Sequence, residues 1–333
     1  MPPPFRYVIT DMDGTLLSPD HVVSDYTRDT LKTLVHQYGV IPILATGRIY
    51  ADVSIVGDKL KKYIWGDDTA VPGAQASASP SRAPELYLVT SNGAVVHNGV
   101  THEVVFQTSI DPVLAEKLLQ ILPSDETVVN TNAYQNDDWV CRINWPEMLT
   151  LYKESGFRFI HVPNPLPSSM YSSASVVASS AATARGIAIG NYTGISKIFF
   201  ITDDAARLQA LTDEVRVIAK AHGGAPVSLT FSMSDCLDIM ASGVTKGEAL
   251  KKLFGIILPP KDGVDVVADA LAHSIAFGDG LNDAEMLAAA GKGCVMGNAN
   301  PKLIAQHPEL EVILPNAEDG VAKKLRSVFN LPL

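Results

Sequence analysis

Asp11-Met12-Asp13-Gly14-Thr15-Leu16-Leu17 follows directly on an apolar run, Phe5 to Ile9. A run of that length bounded by turn signals reads as a buried strand. Two carboxylates one residue apart leave its carboxyl end, and Gly14 lets the backbone turn behind them. In open α/β sheets, ligands collect in the crevice outside such strand ends. The pair therefore has the placement of reacting groups, although a solvated acidic turn would have the same local sequence.

The residues that follow extend the pattern. Ser24 stands where an N-cap belongs, ahead of Leu31, Leu34, Val35 and Tyr38 at helical spacing, and Gly39 closes the helix. Val40 to Ala45 reads as a second buried strand ending in Thr46-Gly47-Arg48. Strand, helix, strand of this length is a βαβ unit, so the two strands are expected to lie parallel. Thr46 and Asp11 are thus expected at one edge of one sheet.

Bulk properties narrow the function classes. The chain has 333 residues, 47% of them hydrophobic and 19% charged, which suits a soluble globular protein of more than one domain. A net charge of -10 argues against a nucleic-acid groove, which needs a basic face. Cys141, Cys236 and Cys294 are odd in number and show no C-x-x-C spacing, so buried free thiols in a reducing compartment are expected. No cationic and apolar leader and no apolar run of about 18 residues is seen, so the expectation is a cytoplasmic protein without a membrane span.

Further along, residues 66–85 are poor in large apolar groups and rich in Ala, Ser and Pro, and read as a surface insertion. Leu86 to Thr90 is a strand running into Ser91-Asn92-Gly93-Ala94, and Val95 to Gly99 pairs with Val104-Val105-Phe106 across an Asn98-Gly99 turn. From 108 to 241 the pattern changes. A helix from Pro112, a hairpin across Asn136-Asp137-Asp138, a Ser/Ala/Pro-rich stretch at 163–186, a strand at Lys197 to Thr202, a helix from Ala205 to His222 and two short strands suggest an α+β insert. Thr245-Lys246-Gly247-Glu248 then reads as a capping box, and Ser274 to Phe277 as a strand ending in Gly278-Asp279-Gly280-Leu281-Asn282-Asp283. The organisation is a parallel-sheet core, 1–107 and 242–333, with a block at 108–241 spliced into it.

Three strand ends now carry polar groups to one sheet edge: Asp11 and Asp13, Thr46 with Gly47 and Arg48, and Asp279 with Asn282 and Asp283. Lys246 lies in a helix first turn, where a cation opposes the helix dipole and so calls for an anionic partner. Four carboxylates in one cleft repel unless a cation sits among them, and oxygen-only ligands select a hard ion, Mg²⁺ by preference. Mg²⁺ flanked by a lysine, an asparagine and a threonine suits a phosphoryl group. There is no G-x-x-x-x-G-K-[ST] loop and no zinc-ligand cluster. His21, His97, His102, His222 and His273 are read as surface or packing residues.

Asp11-Met12-Asp13-Gly14-Thr15, Thr46-Gly47-Arg48, Lys246 and Gly278-Asp279-Gly280-Leu281-Asn282-Asp283 resemble, in order, the four signature motifs of the haloacid dehalogenase superfamily. Ser91-Asn92-Gly93-Ala94, Val244-Thr245-Lys246-Gly247 and Ala289-Ala290-Gly291 are similar to its Cof-like phosphatase branch, which carries an αβ cap between the second and third motifs. The resemblance implies an α/β fold, a Rossmann-like core with an inserted α+β cap acting as a lid. It also implies a Mg²⁺-dependent phosphatase of small phosphorylated metabolites, monomeric or homodimeric.

Position by position, Asp11 would be the nucleophile that forms an aspartyl-phosphate, and Asp13 the general acid and then base. An ionised neighbour is expected to keep Asp13 protonated for the first step. Mg²⁺ would be held by Asp11, the Asp13 carbonyl, Asp279 and Asp283. Thr46, Gly47, Lys246 and Asn282 would hold the phosphoryl oxygens. Arg48 stands open between a phosphate-side or cap-edge role and a structural ion pair. In the cap, Tyr134, Trp139, Arg142 and Trp145 are expected to pack rather than meet substrate. A phosphomutase on the same scaffold and a non-catalytic phosphometabolite-binding protein are the alternatives.

Overall fold

The computed structural model describes residues 3–66, 83–122, 127–144, 159–162, 190–223 and 227–332. Most of the 66–85 insertion, the Ser/Ala/Pro-rich stretch and Trp145 lie outside the described residues.

The chain opens with β1 (Tyr7–Thr10), α1 (Asp25–Tyr38), β2 (Ile41–Ala45), α2 (Tyr50–Trp65), β3 (Tyr87–Thr90), β4 (Val95–Asn98) and β5 (Val104–Gln107). The helix α1 starts where its cap dictates: Ser24 Oγ accepts from the Thr27 N–H at 3.1 Å. It ends on Gly39 in the left-handed conformation, with Leu31 and Leu34 buried. The inserted segment follows with α3 (Pro112–Leu119), β6 (Asn130–Gln135), β7 (Asp138–Cys141), β8 (Ile160–His161), β9 (Ile195–Ile201), α4 (Ala205–Ala221), β10 (Ser228–Met233) and β11 (Cys236–Met240). Then come α5 (Lys246–Ile257), α6 (Val266–Ala272), β12 (Ser274–Gly278), α7 (Ala284–Ala289), β13 (Lys292–Val295), α8 (Pro301–Gln306), β14 (Glu311–Val312) and α9 (Gly320–Val328).

Two compact units result, Met1–Phe106 with Thr245–Leu333, and Gln107–Val244. The first is built on an eight-stranded sheet of order β14-β13-β12-β1-β2-β3-β4-β5. β1 is parallel to both β2 and β12, with Thr10 level with Leu44 on one side and Phe277 on the other. Residues 11, 45 and 278 therefore leave the sheet at one edge, although about 270 residues separate the outer two in sequence. Strand β1 is buried on both faces, as parallel sheets under helices are. Alternation sorts its side chains: Tyr7 and Ile9 join Leu250, Leu253, Phe254 and Met286 on one face, and Val8 joins Leu31, Leu34 and Leu325 on the other.

The second unit is a six-stranded sheet of order β10-β11-β9-β6-β7-β8, antiparallel except for the β7–β8 pair. Leu114 and Leu118 of α3 and Leu208, Leu211 and Val215 of α4 pack with Ile198, Phe200, Leu237 and Ile239. The alternate positions of these strands form the other face. There Lys197 Nζ lies 3.1 Å from Asp238 Oδ1 and over the Tyr134 and Phe199 rings, and the Trp139 indole donates to Asn132 Oδ1. Tyr134, Trp139 and Arg142 are buried. All three cysteines are buried free thiols.

Two local expectations change. The β4–β5 connection is not a two-residue Asn-Gly turn: the Asn98 N–H donates to Glu103 O, so the loop runs from Gly99 to His102. The Asn98 side chain organises it, accepting from the Val100 and Thr101 N–H groups. At the start of α5 the capping box is half formed. Thr245 Oγ1 accepts from the Glu248 N–H, but Glu248 turns its carboxylate to Lys251.

Candidate active site

The loop after β1 is held through its own backbone groups. The Asp11 N–H donates to Phe277 O, and the Gly14 and Leu17 carbonyls accept from the side-chain amides of Asn298 and Asn316. Gly14 has φ +70°, and a Cβ there would stand 2.4 Å from Asp279 Oδ2. Only glycine allows both the left-handed turn and that approach. The backbone of the first loop is thereby pressed against the acid that ends β12.

Around this contact, Asp11, Asp279 and Asp283 each present a carboxylate oxygen within 4.8 Å of the others. Lys246 Nζ sits between two of them, 2.6 Å from Asp11 Oδ1 and 2.6 Å from Asp283 Oδ1, with its side chain fully buried. Asp283 Oδ2 accepts the Asp279 and Gly280 N–H groups, and Thr15 Oγ1 donates to Asp279 Oδ1 at 2.7 Å. Burial opposes the lysine charge, but Asp11 and Asp283 outweigh it and hold the ammonium above its usual range. Burial pushes the Asp11 carboxyl well above the usual carboxylate range; Asp283 and Asp279 add to the rise, and Lys246 only partly opposes it. Asp279 is pushed up to about 6, by burial first and by the Asp283 charge second. One ammonium thus faces three carboxylates, an excess of negative charge that an oxygen-ligated divalent cation offsets. The donor set fits Mg²⁺.

Asp13 is placed differently. Its carboxylate forms a fork-to-fork pair with Arg48, Nε at 2.6 Å from Oδ2 and Nη2 on Oδ1, and His21 Nδ1 lies 3.4 Å from Oδ1. The Asp13 side chain keeps 42% of its exposure and is absent from the carboxylate group around Lys246. Burial alone would raise its pKa, but the hydrogen bonds and charges of His21 and Arg48 prevail and hold it well below the usual carboxylate range. The expectation of a protonated Asp13 is therefore corrected: a cationic pair, not an anionic neighbour, governs it. His21 is likewise no bystander, since the Ser18-Pro19-Asp20 turn folds it back onto Asp13, and that contact raises its pKa. Arg48 takes the ion-pair alternative, with Nη1 also 2.7 Å from Asp52 Oδ2.

The remaining predicted residues gather at the next strand end. Thr46 Oγ1 accepts the Arg48 N–H, and the Ser91 and Asn92 N–H groups bond the Arg48 and Thr46 carbonyls. Asn92, itself at φ +56°, accepts the Asn282 side-chain amide at 3.0 Å and lies against Gly47, where a Cβ would stand 3.0 Å from its Oδ1. At Gly93, φ +101°, a Cβ would stand 2.4 Å from Thr245 O, so this turn seats the start of α5 and with it Lys246. Thr15, His21, Asp52 and Asn92 were not among the sequence candidates. Asn92 could have been, because it follows a strand whose end lies at the same edge.

A profile of the haloacid dehalogenase-like hydrolase family matches residues 8–325. A putative phosphatase of Haemophilus influenzae is 35% identical over 328 residues, covering 98% of each chain. An HMP-PP phosphatase of Cronobacter sakazakii is 30% identical over 97% of this chain and 95% of its own. Among solved structures, a haloacid dehalogenase-like hydrolase from B. subtilis superposes with a TM-score of 0.68 at 21% identity, over 96% of this chain and 99% of that one, a likeness of fold.

Proposed function

The chain belongs to the haloacid dehalogenase-like hydrolases and is a phosphatase, and from that premise we propose that it cleaves small phosphorylated metabolites with Mg²⁺, through an aspartyl-phosphate on Asp11. The observation that carries this is the three-to-one excess of carboxylate over ammonium around Lys246, with Asp11 paired to that lysine and its side chain still 11% exposed, where Asp283 is fully buried. Asp11, Asp279, Asp283 and the Asp13 carbonyl would hold the ion, which supplies charge neutralisation at the phosphoryl oxygens.

The chain's own groups perform the transfer. An Asp11 oxygen bonds to phosphorus as the ester P–O bond breaks, and the electron pair leaves with the alcohol oxygen. Asp13, once protonated and away from Arg48, gives that oxygen its proton. Asp13 then takes a proton from the water that attacks phosphorus, and the P–O bond to Asp11 breaks to release phosphate. Lys246 keeps Asp11 from repelling its anionic target. Thr46, the Gly47 N–H and Asn282 hold phosphoryl oxygens, Asn282 in the orientation that Asn92 sets.

Phosphate release measured on a panel of sugar phosphates, nucleotides and HMP-PP, with Mg²⁺ or with EDTA, tests the reading. Free phosphate that disappears with EDTA supports it; isomer formation without phosphate release, or activity indifferent to EDTA, contradicts it. The metal also has a signature in stability. Asp11 and Asp279 have folded pKa values above their unfolded ones, so the metal-free fold loses stability as pH rises from about 4 through the range in which they ionise. Mg²⁺ removes that penalty. Its increase of the melting temperature is therefore expected to be larger at pH 7.5 than at pH 5, and an equal increase at both would contradict the placement of the ion.

A further inference from the structure

Asp52 stands outside the chemistry described so far, yet it is a buried carboxylate in direct contact with it. It lies in the first turn of α2 with its side chain 1% exposed; its Oδ2 accepts from Arg48 Nη1, and its Oδ1 has no hydrogen-bond partner among the described residues. Arg48 is 12% exposed and divides its donors between two acids: Nε and Nη2 to Asp13, Nη1 to Asp52. One guanidinium thus serves a half-exposed carboxylate and a buried one.

We propose that Asp52 is a positioning residue that lets Asp13 leave. A guanidinium as little exposed as that of Arg48 is unfavourable when stripped of its carboxylate, because little water reaches the uncompensated charge. If Arg48 had Asp13 alone, each departure of Asp13 toward the reacting oxygen would expose that penalty. With Asp52 fixed on Nη1, Arg48 stays compensated, and the fork that held Asp13 opens at lower cost. Asp52 also keeps Arg48 on the α2 side, so the guanidinium does not follow Asp13 toward the phosphoryl site. The inference rests on the reading of Asp13 as acid and base and goes beyond it in naming what frees Asp13.

The test compares Asp52→Asn, nearly isosteric but neutral, with the wild-type enzyme under saturating Mg²⁺. On an alkyl phosphate, whose leaving oxygen needs a proton, kcat is expected to fall at least about tenfold, a part of what acid–base catalysis supplies, with KM changed less than about twofold. On an aryl phosphate with an acidic leaving group the loss should be several-fold smaller. In an Arg48→Ala background, Asp52→Asn should change kcat by less than about twofold, since the grip it relieves is gone. An unchanged kcat, an equal loss on both substrates, or the same loss in both backgrounds would overturn the proposal.

If Asp52→Asn does not stay folded, Asp52→Glu carries the test, because it keeps the charge at the expense of packing. A kcat held within about threefold despite a lower melting temperature supports the role; a kcat that falls in step with stability refutes it. Asp13→Asn separates the two readings. Full activity there removes Asp13 from the chemistry, whereas a dead Asp13→Asn beside a normal Asp52→Asn removes only Asp52.

Discussion

Replacing Asp11 by Asn is expected to lower turnover of an aryl phosphate by a factor on the order of 10⁴ or more, the scale of loss when a covalent nucleophile is removed. The amide fits the same space and can still meet Lys246, but its nitrogen and weakly nucleophilic oxygen do not form the acyl phosphate. The fold should not suffer. Burial and the charges of Asp283 and Asp279 push the Asp11 carboxyl well above the usual carboxylate range, so its ionised form is disfavoured in the metal-free protein. Neutralising it is expected to leave the melting temperature in EDTA at or above that of the wild type. Activity within tenfold of wild type would take Asp11 out of its role. A collapse of the fold would mean that the Lys246 pair is structural.

Lys246→Met is expected to have the largest effect on stability. The side chain is fully buried, each carboxylate contact is 2.6 Å, and methionine conserves much of the volume. Its loss leaves three clustered carboxylates with no ammonium, and breaking a buried pair from one side costs about 3–5 kcal/mol. The pH dependence should follow in sign. Asp11 and Asp279 require no counter-charge once protonated, so the deficit should be greatest near neutral pH and shrink as pH falls toward 5. Added Mg²⁺ should restore part of it by taking over the compensation. Denaturant unfolding at the two pH values, with and without Mg²⁺, checks both signs. A deficit independent of pH and metal would show that Lys246 contributes only packing.

The parallel core and the acids at its edge could be read from the sequence because each sits at a strand end marked by short-range signals. Apolar runs stop at Asp11, Thr46 and Asp279, and parallel pairing brings those ends together. Caps were equally legible at Ser24 and Thr245, whose side chains make the bonds their positions suggest. Helix α2 was not legible: Ile49 stands at its N-cap and offers no side-chain acceptor, so the start signal is missing.

The contacts that tune the site were hidden for a different reason. Thr15 meets Asp279 across 264 residues, and Asn92 meets Asn282 across 190. Such pairs follow from how the loops turn after their strands, not from a local pattern. Asp13 shows the consequence most plainly. Its neighbours in sequence suggested an acid kept protonated by another acid, whereas the turn at Ser18-Pro19-Asp20 and the end of β2 surround it with His21 and Arg48. The sign of its pKa shift reversed because the third dimension, not the spacing, selected its partners.

Borohydride reduction during turnover, followed by peptide mapping, probes the covalent step itself, since the reagent converts an aspartyl-phosphate to homoserine. With Mg²⁺ and substrate present, homoserine is expected at position 11 and at no other aspartate, and none should form when substrate is omitted. Homoserine at Asp13, Asp279 or Asp283, or its absence from an enzyme that is releasing phosphate, would contradict Asp11 as the residue that carries the phosphoryl group.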